Sequence, residues 1–215
     1  MSLVMKEILL IKKFIPLVFL MAVILPIVLN QTGNVGSTLN FISIILIFAV
    51  MLPGSISMNE SKYQKAYAYL SITPYSKSTL VLCKYVFDLI VFVFTTLVYS
   101  IEALIVPQYI TSINVITVAA AFLGMCLLRG FMIPAEFKFG YENTKYISII
   151  VVMVVGFGIP LIIKSMGNAA VANSFMDFFM SLPQYVLSIL LFASGLVISI
   201  VSFIISLSIF QNKEL

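Results

Sequence analysis

Long apolar runs alternate with short polar stretches along the whole chain. Six runs approach or exceed the roughly 20 residues that cross the hydrocarbon core of a bilayer as a helix. They fall at about Phe14–Leu29, Leu39–Ser57, Leu80–Val106, Ile113–Ile133, Tyr146–Ile163 and Tyr185–Phe210. The first contains Pro16 and Pro26, and the third is interrupted by Lys84, Asp88 and Glu102. The pattern predicts an all-α integral membrane protein, with six transmembrane helices in one domain over residues 1–215.

Basic residues near helix ends set the orientation of such a chain. With six spans, one face collects Lys6, Lys12, Lys13, Lys62, Lys65, Lys77, Lys84, Arg129, Lys138, Lys145 and Lys213, and the other holds Lys164 alone. An odd number of spans would scatter them. The expectation is a multi-pass protein of the cell membrane with both termini cytoplasmic.

The polar stretches then acquire sides. Residues 1–13, MSLVMKEILLIKK, place Leu3, Val4, Ile8 and Ile11 on one face and charges elsewhere, the pattern of an interfacial helix. Residues 58–79 form a cytoplasmic loop with Lys62, Lys65, Lys77 and four tyrosines, Tyr63, Tyr67, Tyr69 and Tyr75. Ser57-x-x-Glu60 fits a capping box that starts or restarts a helix there. Pro74 disfavours helix at Thr73, and Ser76 or Ser78 suits the cap of the third span. Two readings fit this segment: an aromatic belt with snorkelling lysines, or a docking element for a cytoplasmic partner. The second cytoplasmic loop, 134–145, is broken by Pro134 and Gly140 and carries Glu136, Lys138, Glu142 and Lys145. On the outer side, 164–184 is too polar at its centre to span, and its Phe175, Met176, Phe178 and Phe179 suit an interfacial or re-entrant segment as well as a loop resting on lipid.

Composition narrows the chemistry. The chain is 62% hydrophobic, with mean hydropathy +1.17. Charged residues make up 9%, against about 25% in a soluble domain. There is no histidine, and Cys83 and Cys126 lie inside apolar runs; neither a zinc site nor a disulfide framework is expected. No G-x-S-x-G elbow and no histidine to activate a serine is present. The lysines are dispersed at membrane edges, so no nucleic-acid surface is expected. The phosphate-binding pattern G-x-x-x-x-G-K-[ST] does not occur; the chain is not expected to be an enzyme or to carry a cofactor.

Ionisable groups inside spans are functional candidates. Lys84 and Asp88 are one turn apart and can pair with each other. Glu102 lies about 40° off that face at 100° per residue, near the outer end of the span. Asp88 and Glu102 are candidates to line a transport path. The competing reading is an interfacial ion pair with a snorkelling glutamate. Gly156, Gly158 and Pro160 mark a bend or plain packing in the fifth run.

The stretch MNESKYQKAYAYLSITPYSKSTLVLCKYV resembles small bacterial permeases of the type-2 ABC exporter class, in particular those of phenol-soluble modulin and other peptide exporters. The residues that carry the likeness are Glu60, Lys62, Lys65, Tyr69, Leu70, Ser71, Pro74, Ser76, Lys77, Lys84 and Tyr85. The family's acidic cluster is reduced here to Glu60. The resemblance implies a permease dimer, homo- or heteromeric, seated on cytoplasmic ABC ATPase subunits that hold ATP and Mg. It implies ATPase coupling through Glu60, Lys62, Lys65 and Tyr69, with Glu136 and Lys138 in a second contact. It also implies export of amphipathic peptides, toxins or lipophilic compounds. Two rivals fit the same spans: a proton- or ion-coupled carrier, and a non-transporting sensor or immunity subunit.

Overall fold

The computed structural model describes residues 20, 22–26, 37–61, 77–107, 113–140, 144, 146, 150 and 183–212. The first and fifth expected spans, the interfacial helix 1–13 and the outer segment 164–184 fall mainly or wholly outside these residues. Four long helices carry the fold: α1 (Ser37–Ser61), α2 (Lys77–Ile105), α3 (Val115–Phe139) and α4 (Gln184–Gln211). All the regular structure among the described residues is helical. Among the described residues, three helices are long and apolar enough to cross a membrane, over Ser78–Ile105, Val115–Phe139 and Gln184–Gln211; the apolar part of α1, Asn40–Ser55, is shorter. In lipid, a helix satisfies its own backbone donors and acceptors, which is why apolar runs of this length take that form.

Side-chain pairs fix the directions. On α2 and α3, Lys84 meets Glu136, Asp88 meets Arg129, and Phe92 meets Phe122. Numbers that rise on one helix and fall on the other mean antiparallel packing. On α3 and α4, Phe122 meets Phe192 and Phe137 meets Phe210, so these two run parallel. Their parallel course places Gly140 and Gln184 at opposite ends of the bundle.

The helix α3 sits at the centre, packed most extensively against α4 and then α1. One apolar cluster joins Phe41, Ile44, Ile45 and Phe48 of α1 to Phe87, Val91 and Phe92 of α2 and to Phe122 and Met125 of α3. A smaller one, Val81, Ile133, Phe137 and Phe210, closes the opposite end.

The packing of α4 follows membrane rather than soluble logic. It buries Ser188, Gly195, Ser202, Ser206 and Phe210, spaced by seven, seven, four and four residues on one face. Val197, Ile200, Val201, Ile204 and Ile205 are exposed and suited to acyl chains. Lipid is as apolar as leucine, so helices associate through small residues and hydrogen bonds. A Cβ on Gly195 would lie 2.9 Å from the Phe122 ring, and one on Gly130 would lie 3.3 Å from Ile198. Both glycines therefore let α3 and α4 approach closely.

Two boundaries differ from the sequence expectation. The helix α1 runs unbroken through Ser57 to Ser61, so no helix starts at Ser57. A helix already formed upstream propagates at one hydrogen bond per added residue and needs no new start. The helix α3 does not end at Ile133 but continues through Pro134 to Phe139; residues 134–139 of the expected loop 134–145 are helical. Proline at this position removes the bond that its N–H would give to the carbonyl four residues back, that of Gly130. Ser202 of α4 supplies the replacement, its Oγ donating to the Gly130 carbonyl at 2.6 Å. A hydroxyl from a neighbouring helix is one of the ways membrane helices keep an internal proline. The helix ends instead at Gly140, which takes φ 79°, in the region that favours glycine.

Candidate functional site

Near one end of the bundle, two acids and two bases meet between α2 and α3. Arg129 Nε donates to Asp88 Oδ2 at 2.8 Å. Lys84 Nζ donates to Glu136 Oε2 at 3.2 Å and lies 5.2 Å from the centre of the Phe137 ring. The backbones of α2 and α3 approach closely at few points, and these long side chains span the separation. The four formal charges sum to zero. Burying a charge costs least when it is paired, and here each base has an acid.

Lys84 and Asp88, one turn apart on α2, make their closest ion pairs with α3. Each turns to α3, because a partner across the interface lets both charges be neutralised within the bundle. Sequence spacing shows only neighbours on one helix, so Arg129 as the partner of Asp88 was not visible in it. The available signal was that Arg129 and Glu136 sit two turns apart on α3, as Lys84 and Asp88 sit one turn apart on α2.

A chain of hydroxyls ties α2, α3 and α4 beside this cluster. Tyr85 Oη is 2.7 Å from Ser202 Oγ and 3.1 Å from Ser206 Oγ. A serine hydroxyl has one proton to give, and that of Ser202 goes to Gly130. Tyr85 therefore donates to Ser202, and Ser206 donates to Tyr85. The direction of the whole chain is set by the carbonyl that Pro134 leaves open. Tyr85 also packs edge-on against Phe203.

The candidate residues are distributed as follows. Asp88 is 3% exposed and engaged by Arg129. Glu102 lies about 21 Å further along α2 at 1.5 Å per residue; it is 7% exposed, and neither carboxylate oxygen has a hydrogen-bond partner among the described residues. Glu136 is buried and turned toward Lys84, whereas Lys138 is exposed, its ammonium 5.4 Å from the Phe139 ring centre. Glu60 lies in the last turn of α1. Lys62, Lys65 and Tyr69 fall outside the described residues. Ser202, Ser206 and Tyr85 complete the cluster without having been singled out for it; the seven- and four-residue spacing of serine and glycine in the last run is the signal that points to the serines.

A bundle of apolar helices, joined by small-residue seams and by charges paired across helices, defines a multi-pass membrane protein. Along residues 2–211 the chain matches the family model described as ABC-2 family transporter protein, and it belongs to that family, the type-2 permeases of ABC transporters. No curated protein and no solved structure matches it.

Proposed function

We propose that this chain is the membrane-spanning subunit of an ATP-driven exporter. It works as a dimer on separate ATPase subunits that bind ATP and Mg, and it moves amphipathic peptides, toxins or lipophilic compounds out of a bacterial cell. The observation that carries this reading is the family match over residues 2–211, in a chain of 215 residues without a phosphate-binding loop of its own. Permeases of this family work with an ABC ATPase. The basic, tyrosine-rich segment 58–79, on the face that collects eleven of twelve basic residues, is the docking element. Glu60, Lys62, Lys65 and Tyr69 make the contact, with Lys138 beside it at the end of α3. Glu136 acts one step removed: through Lys84 it ties the end of α3 to α2, so a push at the docking face reaches two spans together.

The double variant K62E/K65E tests this reading. Charge reversal at a docking contact juxtaposes like charges and costs affinity. The variant is expected to lose most stimulation of the co-purified ATPase and most export, with membrane insertion unchanged. Wild-type ATPase stimulation and export by K62E/K65E would rule out the docking role. Glu102, buried and without a partner among the described residues, is the observation that favours the second reading, an ion-coupled carrier.

A further inference from the structure

The seam where α2, α3 and α4 meet holds a partly open cavity of about 60 Å³, with Tyr85, Asp88, Met125, Cys126, Arg129 and Ser199 among the residues lining it and the exposed Leu89 and Leu196 at its rim. Its walls are apolar except at one side, where the buried ion pair stands. That pair is incompletely satisfied by protein. Asp88 gives Oδ2 to Arg129, while Oδ1 is buried and has no hydrogen-bond partner among the described residues. Arg129 uses Nε on Asp88, which leaves four of the five guanidinium N–H donors for other acceptors.

We propose that this cavity is a structural water site that completes the Asp88–Arg129 pair within the membrane. The occupant must donate to Asp88 Oδ1 and accept from the Arg129 guanidinium. An anion would be repelled by the Asp88 carboxylate and a metal cation by Arg129. A neutral molecule that both donates and accepts suits the two sides together, and the Ser199 hydroxyl adds a third polar partner. A cavity needs about 10–15 Å³ of such space and two to four polar partners to hold a water, and this one has both. The space follows from the fold: α2 and α3 are held apart by the length of Lys84 and Arg129, and α4 borders the gap with Leu196 and the short side chain of Ser199.

The site also explains why an ion pair stands where an apolar pair would pack as well. Hydration lowers the cost of burying Asp88 and Arg129, and it keeps their contact exchangeable when α2 and α3 move.

Hydroxyl-radical labelling by synchrotron X-rays, on the full chain in lipid nanodiscs, tests this without a variant. Radicals form from water where it sits and oxidise methionine and cysteine beside it. Two matched controls lie in the same chain. Met125 and Met132 are both buried in α3, and Cys126 and Cys83 are both buried, but only Met125 and Cys126 line the cavity. Met125 and Cys126 are expected to be oxidised severalfold faster than Met132 and Cys83. Equal rates within each pair would overturn the proposal. Ser199→Val fills the space with two methyl groups, and it should bring Met125 down to the rate of Met132 while leaving Met132 unchanged. Persistent fast labelling of Met125 in that variant would also overturn it.

Discussion

Replacing Arg129 by methionine is expected to lower the free energy of unfolding of the full chain in mixed SDS micelles by about 3–5 kcal/mol, the cost of leaving one member of a buried pair uncompensated. Asp88 is then a buried carboxylate whose Oδ2 has lost the hydrogen bond from Arg129, beside an Oδ1 that already lacks a protein partner among the described residues. The loss belongs to the orphaned charge, not to the missing contact, and a second substitution separates the two. The double variant D88L/R129M removes both charges and is expected to recover most of the stability, since apolar replacements of a buried pair are often neutral or better. A double variant as unstable as R129M alone would show that packing, and not pairing, is what Arg129 supplies. Lys84 and Glu136 should respond less. Their side chains are 11% and 7% exposed, against 6% and 4% for Arg129 and Asp88, so water reaches the Lys84 ammonium more readily.

Ser202→Val has the next largest expected effect. It strands the Gly130 carbonyl and takes away the acceptor of the Tyr85 hydroxyl. Each buried polar group left unpaired costs about 1–3 kcal/mol, so the loss should exceed that of Ser206→Ala, which removes one long bond to Tyr85. The specific prediction concerns Pro134. In a Pro134→Ala background the backbone N–H of residue 134 is restored and can bond the Gly130 carbonyl, as in an uninterrupted helix. Ser202→Val should then cost less, by the share that belongs to that carbonyl. An SDS-unfolding cycle over the four variants measures it. An identical cost with and without Pro134 would mean that Ser202 does not stand in for the missing helix bond.

The spans were legible because the bilayer sets their length and their apolarity together. The helices α2 and α4 begin and end within about three residues of the runs read from hydropathy. What hydropathy could not show is which face of an apolar helix is buried. In water the greasiest face turns inward, but in lipid that rule fails. On α4 the buried stripe is Ser188, Gly195, Ser202 and Ser206, residues that an amphipathic reading would place outside. The end of α3 was misjudged for a related reason: Pro134 is a breaker only where nothing replaces its hydrogen bond, and the replacement comes from a residue 68 positions later. Of the candidate site, Asp88 and Glu102 stood out as charges in a span. Their different situations, one paired across helices and one without a partner among the described residues, depend on α3 and were invisible along α2 alone. The proposed docking residues rest on a family resemblance; family membership makes the chain a permease, and Lys62, Lys65 and Tyr69 lie outside the described residues.

The proposed function makes this protein a transmitter of force generated elsewhere. Its helices carry charges paired between α2 and α3, and its sequence does not contain the phosphate-binding pattern G-x-x-x-x-G-K-[ST]. The most direct measurement is uptake of a fluorescent amphipathic peptide into inverted proteoliposomes that contain the full chain, with and without an ABC ATPase from the same cell. Uptake is expected when the ATPase and Mg-ATP are both present, and none is expected from a proton or sodium gradient applied to the chain alone. Gradient-driven uptake by the chain alone, lost in Glu102→Gln, would contradict the account and establish an ion-coupled carrier in its place.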